Sequence, residues 1–546
     1  METFLYYLEI AGAVVFVFFA IGFCIFSHEM GHFLAGKMMG LHIDAFSLGF
    51  RPFWRKKYKG VEYRLGWLPF GGYVELPQID ASDEIPKSAD GKELPRATPL
   101  ARIVTAAAGP VFNIISGLLI ACIVWAAGIP QMTPKMKEIT VHSVVENSPE
   151  YAAGLRPGDV IVKVNGKEFY GTWQNFVETI LYTIDEVTLD VRRNGEIIKI
   201  TYLPKPNPDA PGQAGKEGIA YPFFEPVIPV KLYPESGSPA EKAGVQDGDL
   251  VQKVNGVAVK NHEEFAVLLS YCEGRQVTLE VLRDGNTVTL YCTPEKIAGV
   301  SKEHERYLIG INFKNSDTPK VASVMPGGSA DKVGLRPGDL IKSADGKEIK
   351  TVKEFQTLVA AKKDTPFELT VIRDGKELKF FLAAKHSVPY HIGSALYYDH
   401  PDPFEQFANV LSMSWNSLRG IATTVGNKLR LTDSQSSLKP SHMSGPLGIG
   451  VVLFNSIRLS IVHGIYFMVV ISFALAIFNL LPLPVLDGGH IVFGLIELIF
   501  RKPVPSSVVK VLSYIFITLL LMLMLFVTFS DGRRVVRQVS DNTESR

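Results

Sequence analysis

A chain of 546 residues is longer than one hydrophobic core can organise, so several domains are expected. Its 56 basic side chains are balanced by 55 acidic ones, which leaves no electrostatic basis for polyanion binding and excludes a nucleic-acid partner from the expectations. Four cysteines (Cys24, Cys122, Cys272 and Cys292) are too few for a disulfide scaffold, and a mean hydropathy of +0.16 beside 20% charged residues means that the apolar residues are segregated along the chain.

Four stretches free of Asp, Glu, Lys and Arg reach the length a bilayer demands, about 18 residues or more. They are Ile10–Ser27, Ile103–Pro134 (apolar to about Ile129), Leu459–Leu486 and Val511–Ser530. The leader before the first has two glutamates and no basic residue, and no small-residue cleavage site follows, so it reads as an anchor rather than a secretory signal.

The first span ends in His28-Glu29-Met30-Gly31-His32. Residues four apart share one helix face, so both imidazoles can reach one metal, and Glu29 stands where it can take a proton from water at that metal. Chance alone would supply roughly 0.03 such pentads in a chain of this composition. Three polar side chains inside a span are costly unless they work there. Cys24 lies one turn earlier on the same face and reads as packing.

The loop after this span carries Lys37, Arg51, Arg55, Lys56, Lys57, Lys59, Arg64, Lys87, Lys92, Arg96 and Arg102, which marks it as cytoplasmic. Both termini and the long segment between spans two and three then lie outside. Arg533, Arg534 and Arg537 oppose this orientation and are outnumbered.

Between spans two and three a pattern recurs. Gly154, Gly244 and Gly334 align at intervals of 90 residues, each followed by a Gly-Asp pair, which signals duplicated domains over about 137–385. Asn194-Gly195, Asp284-Gly285 and Asp374-Gly375 suit tight hairpins between alternating strands. The pattern resembles PDZ domains, which add an extended peptide as a strand and hold its terminal carboxylate on backbone N–H groups. Tyr307, Leu308, Ile309 and Gly310 would form that loop in the third unit, and Gly218-Ile219-Ala220 in the second; the first shows no equivalent. Each unit either binds a peptide C-terminus or filters sterically. Cys272 and Cys292 both fall in the second unit and are read as free thiols. In the connector 386–458, Phe404, Phe407, Leu411, Trp415 and Leu418 recur at helical spacing, which fits an interfacial helix or one packed on the spans.

A catalytic site of the His-Glu-x-x-His kind needs a third protein ligand. Asp487, in Asn479-Leu480-Leu481-Pro482-Leu483-Pro484-Val485-Leu486-Asp487-Gly488-Gly489, closes the third charge-free run. The charge-derived topology places that end at the same depth as His28 and His32. Pro482 and Pro484 break the helix, and such backbone is tolerated in a membrane only where it lines protein or a wet cavity. The Asn479 amide is read either as holding an extended substrate or as bonding the freed carbonyls.

These two segments resemble the site-2 protease family of intramembrane zinc metalloproteases, and the arrangement is most similar to the bacterial regulator of sigma-E protease type. Further matching pieces are Leu68-Pro69-Phe70-Gly71-Gly72-Tyr73-Val74, Ala108-Gly109-Pro110-Val111-Phe112-Asn113 and Ser444-Gly445-Pro446-Leu447. Three PDZ-like units where two are usual is the departure. The resemblance implies one zinc ion per chain on His28, His32 and Asp487, with Glu29 activating water. It implies that Val61–Glu75, including Gly71, Gly72 and Tyr73, forms membrane-associated hairpins pairing with an unwound substrate near Asn479, Pro482 and Pro484. Substrates would be single-span membrane proteins, such as trimmed anti-sigma factors or remnant signal peptides, in the inner membrane.

The expected fold class is a multi-domain membrane protein: a four-span α-helical intramembrane protease core with an inserted array of three α+β PDZ-like domains. Its parts are spans at 1–36, 102–129, 459–490 and 507–530, a loop at 37–101, repeat units at 137–205, 217–297 and 305–385, and a tail at 531–546. The opposing reading is a non-catalytic, membrane-anchored PDZ peptide sensor; Glu29 favours the enzyme, since a structural site needs no such carboxylate.

Overall fold

The computed structural model describes residues 2–544 except 80–84, 132, 209, 211–218, 260, 297–305, 314–317, 326–327, 388, 394–396, 435, 437 and 440–441. The chain forms two compact units, one of Met1–Pro130 with Tyr398–Arg546 and one of Gln131–Tyr397.

The first unit holds helices α1 (Glu2–Met38), α2 (Pro99–Ala127), α3 (Pro403–Lys428), α4 (Pro446–Leu459), α5 (Ile461–Asn479), α6 (Asp487–Phe500) and α7 (Ser506–Glu544), with strands β1 (Ala45–Tyr58) and β2 (Val61–Glu75). Among the described residues four segments are long and apolar enough to cross a membrane: Ile10–Met38, Pro99–Ala127, Ile461–Asn479 and Ser506–Arg534. Local chemistry starts these helices. The Thr98 side chain accepts the Ala101 N–H ahead of Pro99, and Ser460 accepts the His463 N–H, each at 3.2 Å.

Helix α2 packs against α1, α5 and α6. Small and hydroxylic residues permit this. Ser27 Oγ donates to the Phe112 carbonyl at 3.2 Å, Ser472 Oγ donates to the Asn113 carbonyl at 2.9 Å, and the Phe473 ring lies over Gly117.

The third span differs from its expected course. Helix α5 stops at Asn479, and Asp487 does not close it but opens α6, because Pro482 and Pro484 carry no N–H to continue a helix. The tail does not begin at 531 either, since α7 runs on to Glu544. Its Asp531, 1% exposed, accepts the N–H groups of Gly445 and Gly448 at 2.9 and 2.8 Å, and so caps the start of α4. Helix α3 buries Gln406, Val410 and Ser414, packs Phe407 on Phe473, and leaves Phe404, Leu411 and Trp415 exposed.

Strands β1 and β2 curl around each other. Residues 45–48 pair with both 62–65 and 72–75, which makes 72–75 the outer strand at one side.

In the second compact unit the repeat becomes three antiparallel sheets, each with a packed helix: Trp173–Tyr182, His262–Tyr271 and Val352–Lys362. Equivalent positions fill equivalent cores, with Leu189, Leu279 and Leu369 each 0% exposed. The boundaries are wider than the repeat suggests. Phe224–Pro226 completes the first sheet, and Ile392 is buried in the second unit's core, so the third unit interrupts the second. Ala220 bridges Pro206 within the first unit rather than serving the second, and Gly218 lies outside the described residues. Cys272 and Cys292 are free and buried, and burial pushes the Cys292 thiol up to about 11, so it stays protonated.

Each unit is closed by a clamp that repeat spacing does not reveal. Arg193, Arg283 and Arg373 grip Asp159, Asp249 and Asp339 in two hydrogen bonds of 2.6–2.7 Å, and also reach the carbonyls of Gly154, Gly244 and Gly334. Burial works to raise the Asp249 and Asp339 carboxyls, but the guanidinium and a loop N–H override it and hold both below the usual carboxylate range. With the folded value below the unfolded one, the clamp's contribution is complete above about pH 4 and is lost as pH falls through the lower folded value. Arg283→Met is therefore expected to cost about 2 kcal/mol near pH 7, and the deficit should shrink below about pH 4. Pulse proteolysis in urea measures it; a deficit unchanged by acid would contradict the clamp.

Candidate metal centre

Near the end of α1, His28 and His32 stand one turn apart with ring centroids 4.7 Å apart and planes at 89°. Asp487, from the first turn of α6, meets them: Oδ2 lies 3.1 Å from His28 Nε2, and Oδ1 lies 3.4 Å from His32 Nε2. The ligand atoms of the three residues lie within 4.8 Å of one another. The two Nε2 atoms face each other at 3.2 Å.

Neighbouring groups set which nitrogens face inward. His32 Nδ1 lies 2.8 Å from the Thr105 carbonyl, which can only accept, so Nδ1 carries the proton and Nε2 offers its lone pair to the centre. The Asn113 amide nitrogen lies 3.4 Å from His28 Nδ1, while its buried oxygen has no hydrogen-bond partner among the described residues. A half-turn of that amide lets its oxygen accept Nδ1–H, which satisfies the orphan and frees His28 Nε2 in the same way. Two imidazole lone pairs and a half-buried carboxylate then converge, with Asp487 Oδ2 accepting no hydrogen bond among the described residues. That donor set suits a divalent cation such as zinc.

Glu29 is 8% exposed and lies outside this triad, with its carboxylate toward the backbone of Val74. The outer strand 72–75 is thus against the acid. A Cβ on Gly72 would come within 2.9 Å of Glu29 Cγ. Asn479 reaches His28, its Nδ2 lying 3.5 Å from Nε2. Pro482 and Pro484 occupy the turn between α5 and α6, where Gly488 passes so close to the Leu481 carbonyl that a Cβ would stand 2.2 Å from it. Gly71 (φ +129°) lies under the Phe50 ring. Tyr73 points elsewhere, its hydroxyl accepting from Arg64 at 2.9 Å. Leu308, Ile309 and Gly310 lie in the other compact unit; Tyr307 pairs with His386 there. Cys24 is fully buried against Met468 and is no part of the triad.

Sequence reasoning missed Thr105 and gave Asn113 no role at the centre. A buried asparagine in a span was a signal for the second, whereas a backbone carbonyl leaves no signature. Gly109 is where α2 makes room: a Cβ would stand 2.4 Å from His32 Nε2 and 2.8 Å from His28 Cε1. Gly109→Ala is expected to lower the metal content of purified protein at least about tenfold by displacing both rings. Undiminished metal would contradict this packing.

Comparison with known proteins gives an independent reading. A profile of peptidase family M50 matches residues 16–523. The regulator of sigma-E protease RseP of Escherichia coli K12 is 26% identical over 531 residues, covering 94% of this chain and 97% of that protein. The regulator of sigma E protease of Salmonella typhimurium LT2 is 25% identical over 534 residues, with coverage of 94% and 97%. Among solved structures, the HtrA3 PDZ domain bound to a phage-derived ligand matches with 22% identity over 17% of this chain and 91% of that one, at a TM-score of 0.13.

Proposed function

The chain belongs to peptidase family M50, the site-2 protease family of zinc metalloproteases, and from that premise we propose that it hydrolyses peptide bonds within the transmembrane segments of single-span membrane proteins. The observation that carries this reading is the meeting of Asp487 with His28 and His32 beside Glu29, the last three in a segment apolar enough to span a membrane. His28, His32 and Asp487 would hold one zinc ion, which when bound supplies Lewis acidity toward the peptide carbonyl and the attacking water. Thr105 and Asn113 keep both imidazoles in the tautomer that faces the ion. Glu29 accepts the proton of the attacking water and returns it to the leaving amine.

A helical substrate must become extended before its carbonyl can be attacked. The outer strand 72–75, with Gly72 against Glu29, offers the edge on which an unwound segment can pair. Asn479, beside His28, is placed to hold the substrate backbone. The loop charge puts the site near the cytoplasmic side of the inner membrane and both termini and the three PDZ-like units outside it. Trimmed anti-sigma factors and remnant signal peptides are the substrate class this arrangement suits, with the PDZ-like units turning away bulky ectodomains. A non-catalytic sensor would leave Glu29 without a task.

The filter is tested by removing residues 137–385 and comparing cleavage of a reporter with its ectodomain intact or trimmed. Wild type should prefer the trimmed form by about tenfold or more, and the deletion should abolish that preference. Discrimination surviving the deletion would remove filtering from these units.

A further inference from the structure

The aligned repeat units place different side chains at one equivalent position. In each unit a loop accepts a backbone N–H from the same aligned residue: Val145 donates to the Phe223 carbonyl at 2.8 Å, Glu235 to Gly393 at 2.9 Å, and Met325 to Gly310 at 2.8 Å. Phe223, Gly393 and Gly310 therefore occupy the same place, although the first two follow their sheets in the chain and the third precedes its own. Tyr390-His391-Ile392-Gly393 and Tyr307-Leu308-Ile309-Gly310 even share a Tyr-x-Ile-Gly pattern. Both glycines have positive φ, +66° and +82°. In these two loops the Ile392 and Ile309 carbonyls accept the N–H groups of Ala240 and Ala330, each at 2.8 Å.

The first unit departs from this, first of all at the aligned alanine. Aligned with Ala240 and Ala330 stands Glu150, four residues before Gly154 as they are before Gly244 and Gly334. Its side chain is turned inward, 1% exposed, and Oε1 accepts the N–H of Phe223 at 3.3 Å. That N–H belongs to the residue standing where the other loops have glycine. Tyr202 is buried against the same carboxyl, where the other units carry Cys292 and Leu382. The groove beside the loop is also filled: the Trp173 ring meets Phe224 at 5.5 Å, and Trp173 Nε1 donates to the Tyr221 hydroxyl at 3.3 Å.

A carboxylate held by a loop N–H is the contact with which such loops capture a peptide C-terminus. Burying a carboxylate is costly, and burial pushes the Glu150 carboxyl above its usual range against the pull of nearby N–H groups, Phe223 among them. We propose that the first unit is a carboxylate-binding site occupied in cis: Glu150 stands in for a peptide C-terminus, and alanine at this position opens the loop to a peptide with a free terminal carboxylate. The first unit is then permanently loaded, and any C-terminus the array recognises is taken by the other two.

The test uses the full chain in detergent and a photo-crosslinking peptide that ends in valine, with a free or an amidated terminus. Wild type should show no carboxylate-dependent labelling within 173–182 or 220–226. Glu150→Ala should raise labelling by the free-acid peptide at least about tenfold and leave the amidated peptide unchanged. Because Glu150→Ala leaves a cavity beside Tyr202, the double variant Glu150→Ala/Tyr202→Leu, which carries the third unit's pair, is run beside it. Equal carboxylate-dependent labelling of wild type would overturn the proposal. So would variants that resist proteolysis as wild type does yet gain no labelling. The readout does not involve cleavage, so its failure leaves the protease assignment untouched.

Discussion

Replacing Glu29 by Gln should lower cleavage of a membrane-embedded reporter by about 10²–10⁴-fold while the zinc content of the protein stays at the wild-type level. The amide keeps the shape of the carboxylate and cannot accept a proton. His28, His32 and Asp487 form the triad without Glu29, so the proposed ligands survive the substitution. The position is 8% exposed and packed against Gly72 and Val74, so a larger change would disturb the strand as well. Cleavage at matched expression is the measurement. Equal cleavage by both proteins would reject the proteolytic assignment, and loss of zinc in Glu29→Gln would mean that Glu29 is a ligand instead.

The second large effect is expected at Asp487. Its two oxygens bridge the two imidazoles at 3.1 and 3.4 Å. Without them a divalent ion keeps two neutral ligands, too few for a tetrahedral site with one open position. Asp487→Ala should lower zinc affinity at least about 100-fold, read by competition with a chelator, and abolish cleavage. Asp487 is also the first residue of α6, where a carboxylate stabilises the helix start. Asp487→Asn keeps the hydrogen-bonding shape there while weakening the ligand. If both variants lose zinc but Asp487→Asn resists proteolysis like wild type, the effect belongs to the ion and not to the helix. Full zinc retention in Asp487→Ala would refute the ligand set.

Much of the centre was legible because it is local. His28, Glu29 and His32 sit within five consecutive residues, and helical periodicity alone puts the two imidazoles on one face. The membrane segments were legible for the same kind of reason, since a bilayer reads hydropathy along the chain. The repeat was visible as a period, and its hairpins as Asn-Gly and Asp-Gly pairs, which the structure holds with Asn194, Asp284 and Asp374 at positive φ.

What stayed hidden depends on backbone atoms and on small residues in distant segments. The Thr105 carbonyl orients His32, and every residue has a carbonyl, so no residue type announces it. Which rings Gly109 makes room for shows only when a Cβ is placed against His32. Asp531 looked like the start of a tail until its bonds to Gly445 and Gly448 tied it to the beginning of α4. The third unit's insertion into the second was hidden because the repeat marks the conserved spacing of the glycines and not the strand that completes each sheet.

The linear order of amino acids thus determined which segments are apolar enough to cross a membrane, which pair of imidazoles shares a face, and which segment recurs three times, because each depends on neighbours a few bonds or one period apart. Only the tertiary structure decided that Asp487 reaches those imidazoles from the start of a new helix, that the Thr105 carbonyl stands at His32 Nδ1, and that the first unit turns a buried Glu150 onto the Phe223 N–H. Those outcomes depend on distances of a few ångströms between residues tens to hundreds of positions apart, and such distances are set by packing and not by spacing.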